Sequence, residues 1–389
     1  MAKKDKDNNA LTIDTLDILE DSLNIAAPAL KTDSLNIEFI STGFPSLDLI
    51  LGGGFARGRI VTLAGLEGTG KSSLAMQIMG NVQRENKDFI IVYLDVETTC
   101  TEKRLSSMGI NTKDRFLYRQ PQTVEEFWKV VEGLTAAKAS LKQKTGVDYK
   151  YLLCLDTVAA MQTQAMHEEE RFDKEMAQRA RAWSSTLGKF TKVLVKSDIT
   201  PILINQLRAA LGGNSFFGPQ YSTPGGFALK FYPFQILQLT EKGASNKDNV
   251  RKGIKIVKVM SMKNKAYRPH VYLEMVFDYA KGYLEFDTEL NLLVVEKRIR
   301  RVAGGTFNIL TDDLVEIFGG SKLPKEDTML EMYNADPEFR EKLSKAFEKT
   351  FYEGFDNRVD SEAEKLLAEE GGEEKIGEDS FDFDTDKIK

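Results

Sequence analysis

Apolar residues recur along this chain in two rhythms, and their alternation sketches an architecture. Residues 59–64 read Arg-Ile-Val-Thr-Leu-Ala, a β-rich run that ends in glycines, and residues 72–84 then carry Leu74, Met76, Ile78 and Met79 at helical spacing. That is strand, loop, helix. Residues 89–94 read as a second strand of the fully buried type, 105–109 close another helix, and 151–155 form a third strand. The spacing predicts a long helix over 172–197 and a fourth strand over 201–205. Strands that alternate with helices need crossover connections, so the pattern predicts the α/β class, with a mostly parallel, twisted sheet covered on both faces. Beyond Gln206 the pattern breaks into Gly212-Gly213-Asn214, Gly218-Pro219 and Pro224-Gly225-Gly226. A glycine- and proline-rich stretch of about 18 residues inside a domain is functional or disordered. Further strands follow at 236–239, 254–260 and 271–277, expected to be antiparallel, and then a predominantly helical piece over 288–354.

The two ends differ from the middle. Leu11, Ile13, Leu16, Ile18, Leu19, Leu23 and Ile25 fall at roughly helical spacing before Ala26-Ala27-Pro28 stops the helix. An isolated amphipathic helix cannot bury its stripe alone, so it packs on its own body or on a neighbouring subunit. At the other end, residues 351–389 hold 14 acidic and 5 basic side chains, a net −9 in a chain whose total is −6. The body is therefore mildly basic. Such a tail is a solvated terminus, or it competes with a polyanion for that body. Four segments result: 1–36 with the N-terminal helix and linker, 37–287 as the core, 288–354 as a small C-terminal domain, and 355–389 as an acidic, disordered tail. No run approaches the roughly 20 apolar residues of a membrane span, and the charged start has no apolar stretch behind it, so a cytoplasmic protein is expected. Two cysteines, Cys100 and Cys154, and two histidines, His167 and His270, are too few for a zinc or iron–sulfur centre.

The chemistry centres on Gly65-Leu66-Glu67-Gly68-Thr69-Gly70-Lys71-Ser72, which fits G-x-x-x-x-G-K-[ST] and sits between a strand and a helix. Glycines let backbone N–H groups turn inward around phosphate oxygens, the helix adds the positive end of its dipole, Lys71 reaches the outer phosphates, and Ser72 supplies an oxygen to Mg²⁺. Ser73 completes the expected contact set. The apolar run Tyr151-Leu152-Leu153-Cys154-Leu155 ends in Asp156, placed for the metal's water shell. Val92-Tyr93-Leu94-Asp95-Val96-Glu97 ends another strand on the same edge, and Glu97 is the candidate base that orients an attacking water; the alternative is a helix-capping carboxylate. Asn205-Gln206 closes a further strand, where the amide can sense a γ-phosphate and pass the signal to the glycine-rich loop.

With these strand ends in order, the sequence resembles the RecA recombinases, phage-encoded members included. The resemblance runs over about 36–285. It is carried by Ile40-Ser41-Thr42-Gly43 with Ser46-Leu47-Asp48, Gly58-Arg59-Ile60-Val61, the phosphate motif, Asp156-Thr157-Val158-Ala159-Ala160, Asn205-Gln206-Leu207-Arg208, Phe217-Gly218, Thr223-Pro224-Gly225-Gly226, Ala228-Leu229-Lys230-Phe231-Tyr232 and Lys263-Asn264-Lys265. It implies a RecA-like P-loop ATPase that uses ATP and Mg²⁺, polymerises on single-stranded DNA through its N-terminal helix, pairs that strand with homologous duplex DNA and exchanges strands. Glu97 is then the hydrolytic base and Gln206 the switch, while Lys263 and Lys265 reach across to the neighbour's phosphates. Two loops are implied to line the DNA. The first runs from Gln164 to Glu175 with Met176 as an apolar wedge and Arg179 and Arg181 for phosphates; the second spans Arg208 to Gly225, with Leu211, Gly212, Gly213, Gly225 and Gly226. Met176 also reads as ordinary helix packing. Single-strand-binding and mediator proteins are the other expected partners.

Some positions depart from the family pattern. Arg104 stands where the family stacks an aromatic ring on adenine, and Tyr279 matches its nucleotide-adjacent tyrosine with only one of the following glycines kept. Glu168, Glu169 and Glu170 put an acidic cluster in the first loop. Residues 233–239 lack the arginines of the family's second DNA site, for which Lys242, Lys247, Arg251, Lys252, Lys255 and Lys258 are expected to substitute. Two other readings stay open: a ring-forming motor or helicase on the same core, and a non-hydrolysing DNA-binding scaffold.

Overall fold

Hydrogen bonding organises the chain around one large sheet. The computed structural model describes residues 36–165, 175–209, 221–222, 228–242 and 254–355. The expected N-terminal helix, the acidic tail, the acidic cluster of the first loop, and Leu211, Gly212, Gly213, Gly225 and Gly226 lie outside the described residues, as does the side chain of Met176.

Strands β1 (Phe39–Ile40) and β2 (Phe55–Ala56) pair antiparallel on either side of helix α1 (Pro45–Leu51). The sheet then takes up β3 (Val61–Gly65), β4 (Phe89–Asp95), β5 (Phe116–Arg119), β6 (Lys150–Asp156) and β7 (Ile199–Gln206). Short strands β8 (Arg208–Ala209) and β9 (Tyr221–Ser222) pair apart from it, and β10 (Gln235–Lys242), β11 (Ile254–Asn264), β12 (Tyr272–Asp278) and β13 (Gly282–Leu284) complete it. Its nine strands run β13-β12-β11-β10-β3-β7-β6-β4-β5. From β10 to β5 every pairing is parallel, and from β10 to β13 every pairing is antiparallel.

Both faces of the parallel part are covered, as the continuous apolar runs require. On one side Leu152 and Cys154 of β6 and Ile202 and Ile204 of β7 meet Leu74, Ile78 and Met79 of α2 (Lys71–Glu85); α3 (Glu102–Ser107) adds Leu105. The intervening Leu153, Leu155 and Leu203 face Phe127 and Val131 of α4 (Val124–Thr145) and Trp183, Leu187 and Phe190 of α5 (Glu175–Ser197). Strand periodicity sends neighbours to opposite faces, so each strand serves two cores. Helix α4 begins at Thr123, whose hydroxyl accepts the Glu126 N–H at 3.2 Å, and ends where Gly146 turns left-handed at φ +75°. The residue pattern gave no element for α4 or β5.

A short helix α6 (Ala228–Phe231) precedes β10. After β13 come α7 (Glu285–Val295), a three-stranded sheet of β14 (Ile299–Arg301), β15 (Phe307–Ile309) and β16 (Lys322–Leu323), and helices α8 (Asp312–Phe318), α9 (Glu326–Ala335) and α10 (Pro337–Glu353). The expectation of helices here is joined by that small sheet. Phe286, Leu290 and Leu293 of α7 pack with Phe307, Leu314, Phe339 and Leu343 in a separate cluster, while the Thr288 hydroxyl of the same helix accepts the Val276 N–H of β12. Residue 287, the expected boundary, thus lies inside a helix shared by both parts. Phe347 and Phe351 of α10 return to the main core.

Candidate nucleotide site

Four adjacent parallel strands, β3, β7, β6 and β4, end on one edge of the sheet, with Gly65 beside Gln206 and Asp95 beside Asp156. At about 4.8 Å per strand they span about 14 Å, the width of a nucleotide's phosphate chain and its surroundings. Ligands of open α/β sheets bind outside such carboxyl ends.

The phosphate motif bridges β3 and α2. Lys71 is the first residue of α2, only 7% exposed, and its Nζ donates to the Leu66 carbonyl at 2.6 Å. Burial pulls its pKa down to about 8, against the pull of the Asp156, Glu67 and Glu97 carboxylates. Thr69 ties the turn by donating its hydroxyl to the same carbonyl at 2.8 Å. Two glycines are required sterically. A Cβ on Gly65 would sit 2.5 Å from the Leu239 carbonyl oxygen of β10, and one on Gly70, left-handed at φ +90°, would sit 2.7 Å from the Tyr283 hydroxyl. No side chain caps α2, so its first-turn N–H groups and dipole face the loop, an arrangement that fits phosphate oxygens. Glu67 and Gly68 are exposed on the rim.

Asp156 accepts the Tyr93 hydroxyl at 2.7 Å and a hydrogen bond from Ser72; burial raises its pKa. One hydroxyl and one carboxylate fit Mg²⁺, which keeps most of its shell as water and phosphate oxygen. Among the described residues no group of three or more His, Cys, Asp or Glu forms a metal cage. Exposed Glu97 follows β4, its Oε1 accepting the Thr157 hydroxyl at 3.1 Å, and Thr98 at φ +59° turns the chain away behind it. Asp95 is instead occupied: it accepts the Tyr118 hydroxyl at 2.8 Å and the Cys100 N–H at 2.9 Å, and so shapes the turn.

Gln206 ends β7, and the next residue, Leu207, donates its N–H to the Gly65 carbonyl at 3.0 Å. The second loop therefore starts tied to the phosphate loop, and its stem is the β8–β9 pair, with Arg208 exposed. Arg179 reaches the Ala159 carbonyl at 3.4 Å and Arg181 is exposed on the same helix. Arg104 of α3 donates to the Ser73 hydroxyl at 2.7 Å, which sets the guanidinium against the start of α2. Tyr279 is 61% exposed and packs edge-on against Phe277.

Lys263 and Lys265 sit elsewhere. Lys263 pairs with Ile236 near the opposite end of the sheet, and its Nζ donates at 2.8 Å to the Lys230 and Phe231 carbonyls at the end of α6. Burial, with Lys265 adding repulsion, lowers its pKa to about 8. Lys265 is exposed.

Residue reading missed Tyr283, which donates its hydroxyl to the Thr69 carbonyl at 3.1 Å, and Gln77, which bonds the backbone of Lys281 and Tyr283. It also misplaced Lys255. Grouped there with cations of a second DNA site, Lys255 is 6% exposed and donates to the Gly68 carbonyl at 2.6 Å. The signal was present: Lys255 shares a strand face with Val257 and Val259, both fully buried. Two others of that group are engaged as well, Lys242 with Glu274 and Lys258 over the Tyr272 ring at 4.2 Å.

The family model described as the RecA N-terminal domain matches residues 23–284. Protein RecA of Syntrophus aciditrophicus is 36% identical over 248 residues, covering 64% of this chain and 67% of that protein. Protein RecA of Treponema denticola is 30% identical over 350 residues, 87% of this chain and 80% of its own, and that of Thermus thermophilus is 34% identical over 274, 70% and 76%. The matched span takes in the entire nine-stranded sheet and every strand end that frames the phosphate loop, and on that ground the chain belongs to the RecA family, as an ATP- and DNA-binding recombinase and DNA-dependent ATPase.

Proposed function

We propose that the chain polymerises head to tail on single-stranded DNA, binds ATP between adjoining subunits, pairs its strand with homologous duplex DNA and exchanges strands. One observation carries this reading. Strand β11 begins at the phosphate loop, where Lys255 touches Gly68, and runs to Lys263 at the far end of the sheet. Eight residues of strand span about 26 Å, several times the reach of a lysine side chain, so Lys263 and Lys265 cannot serve their own phosphate loop. On this reading they serve a neighbour's. A head-to-tail contact that does not close produces an open helical filament.

Within one site, the loop N–H groups and Lys71 hold the triphosphate, and Arg104 and Tyr279 flank the base side. Ser72 and Asp156 would hold Mg²⁺, which when bound would offset phosphate charge. Glu97 orients the attacking water and takes its proton, with Thr157 fixing one carboxylate oxygen. Gln206 contacts the γ-phosphate and passes its presence into the loop that begins at Arg208. That loop and the first one grip DNA through Arg179, Arg181, Arg208 and glycine N–H groups, with Met176 and Leu211 as wedges. The helices and small sheet from α7 to α10 form a C-terminal lobe that shares α7 and α10 with the core, and the protein works in the cytoplasm.

The test is phosphate release with and without single-stranded DNA, beside electron micrographs of the same samples. Stimulated release and open filaments are expected. Closed rings would favour a motor of the same core, and release indifferent to DNA at every salt concentration would refute the proposal.

A further inference from the structure

Lys255 is an unusual residue to find inside a sheet. It lies on the inward face of β11, with its side chain 7% exposed, and makes two polar contacts: the Gly68 carbonyl at 2.6 Å and Glu241 Oε2 at 3.0 Å. Its ammonium also lies 5.2 Å from the centre of the Phe277 ring and 4.9 Å from that of Tyr279. One cation therefore joins the phosphate loop on one side to the exposed tyrosine of the β12–β13 turn on the other.

A buried ammonium costs several kcal/mol to desolvate and persists only where partners return that cost. Here the partners are a loop carbonyl, a half-exposed carboxylate and two ring faces. Apolar packing alone would be met by methionine or leucine on the same strand face, as Val257 and Val259 meet it nearby. The charge has a use that an apolar side chain cannot supply. The ammonium occupies the Gly68 carbonyl, so that oxygen does not present its negative end to a polyanion unopposed, and it adds positive potential to the phosphate loop.

We propose that Lys255 is a second, in-cis cation of the nucleotide site, a positioning residue that braces the phosphate loop through Gly68, couples it to Tyr279, and raises affinity for the triphosphate against the restraint of Glu241. This rests on the reading of that loop as the ATP site. Lys255 touches neither the γ-phosphate oxygens nor the attacking water in this assignment, so it acts on binding and not on the chemical step.

The test measures the dissociation constant of a fluorescent ATP analogue, and KM and kcat for DNA-stimulated hydrolysis, on the full chain and three variants. Lys255→Met keeps the stem over Phe277 and removes the charge; analogue affinity and KM should worsen about tenfold, with kcat within about twofold of wild type. Lys255→Arg keeps charge and donor and should recover most of the loss. Glu241→Gln removes the neutralising carboxylate from a half-exposed position and should tighten binding about two- to threefold. Opposite signs for Lys255→Met and Glu241→Gln are the signature of a charge acting on the ligand. If both variants bind more weakly, Lys255 is a structural ion pair and the inference fails. If Lys255→Met binds as wild type does, it also fails. Should Lys255→Met not fold, the Glu241→Gln and Lys255→Arg arms decide by the same signs. Wild-type chain that ignores the analogue would overturn the nucleotide reading itself, a separate outcome from any variant effect.

Discussion

Mixing two inactive variants tests directly the proposal that the site is shared between subunits. Lys71→Ala removes the phosphate-loop lysine but leaves Lys263 and Lys265 intact for a neighbour, and Lys265→Ala does the reverse. Lys265 is the better target of the pair because it is exposed, whereas Lys263 also holds the last carbonyls of α6, so its loss would disturb that helix. Alone, each variant contains no complete interface. Losing one preorganised cation that faces developing phosphate charge costs about 10²–10³ in turnover. In an equimolar mixture that copolymerises at random, a Lys265→Ala subunit presents its intact loop to the intact lysine pair of a Lys71→Ala neighbour. With head-to-tail polarity that happens at about one interface in four. Phosphate release per subunit should therefore climb from near background to about a quarter of wild type, and trace a curve with its maximum at equal proportions.

The expectation rests on a distance along one strand. Lys255 marks the loop end of β11 by its bond to Gly68, and Lys263 lies eight residues further along the same strand, about 26 Å away. Were the lysine pair to act within its own subunit, no mixture would contain a working site. Turnover that stays at the level of the separate variants at all proportions, with copolymerisation shown by micrographs, would refute the reasoning.

Three further predictions follow from single contacts. Glu97→Gln removes the base but keeps the Thr157 contact available, so turnover should drop about 10²–10⁴-fold while ATP-dependent filaments persist; rapid filament disassembly without turnover counts against Glu97 as the base. Gly70→Ala places a methyl 2.7 Å from the buried Tyr283 hydroxyl at a φ of +90°, and should abolish analogue binding while the circular dichroism of the sheet is retained. Asp48, Glu285 and Glu289, the last fully buried and the other two half-buried, form an acidic chain from α1 to α7, bonded to Ser41 and Thr42, to Ser46, and to Ser344 respectively, with Arg340 near the last. Burial pushes Asp48 up to about 6 and raises both glutamates. Carboxyls raised on folding stabilise at low pH and lose that contribution as pH climbs through their folded values, so the thermal midpoint should fall by about 5 °C between about pH 5 and about pH 8. Glu289→Gln should flatten that slope; an unchanged slope removes the acidic chain as its cause.

Local spacing carries the phosphate loop, and it was legible because turn, helix start and lysine lie within eight consecutive residues. The strand ends were legible for a similar reason: an apolar run closing on Asp156 or Glu97 is read without knowing its neighbours. What the residues did not reveal is lateral order. Nothing in the pattern places β7 between β3 and β6, although that position alone sets Gln206 beside Gly65. Strand β5 escaped notice because it has four residues on an edge with alternate positions half exposed, and β14 to β16 because two or three residues carry no period. Lys255 was misread because a cation was weighed by its charge and not by the face its strand position dictates.

The second loop gains meaning from how both of its ends are held. At its start, Leu207 is bonded to the Gly65 carbonyl, which on the proposed function would make Gln206 and Arg208 respond to the occupancy of this subunit's phosphate loop. At its end, α6 is closed by Lys263, the side chain that the proposed function assigns to the adjoining subunit. A lysine drawn toward the neighbour's phosphates must release or share the Lys230 and Phe231 carbonyls, and desolvation already weakens its hold on the proton when no anion is near. On the proposed function the two ends of this loop answer to two different nucleotides. DNA gripped between these two ends would then couple them, and by reciprocity both nucleotides would raise affinity for DNA. Loosening either anchor should then weaken DNA binding even though neither Gln206 nor Lys263 need touch the strand, and an undiminished DNA affinity in both Gln206→Ala and Lys263→Ala filaments at saturating ATP would dissolve the link.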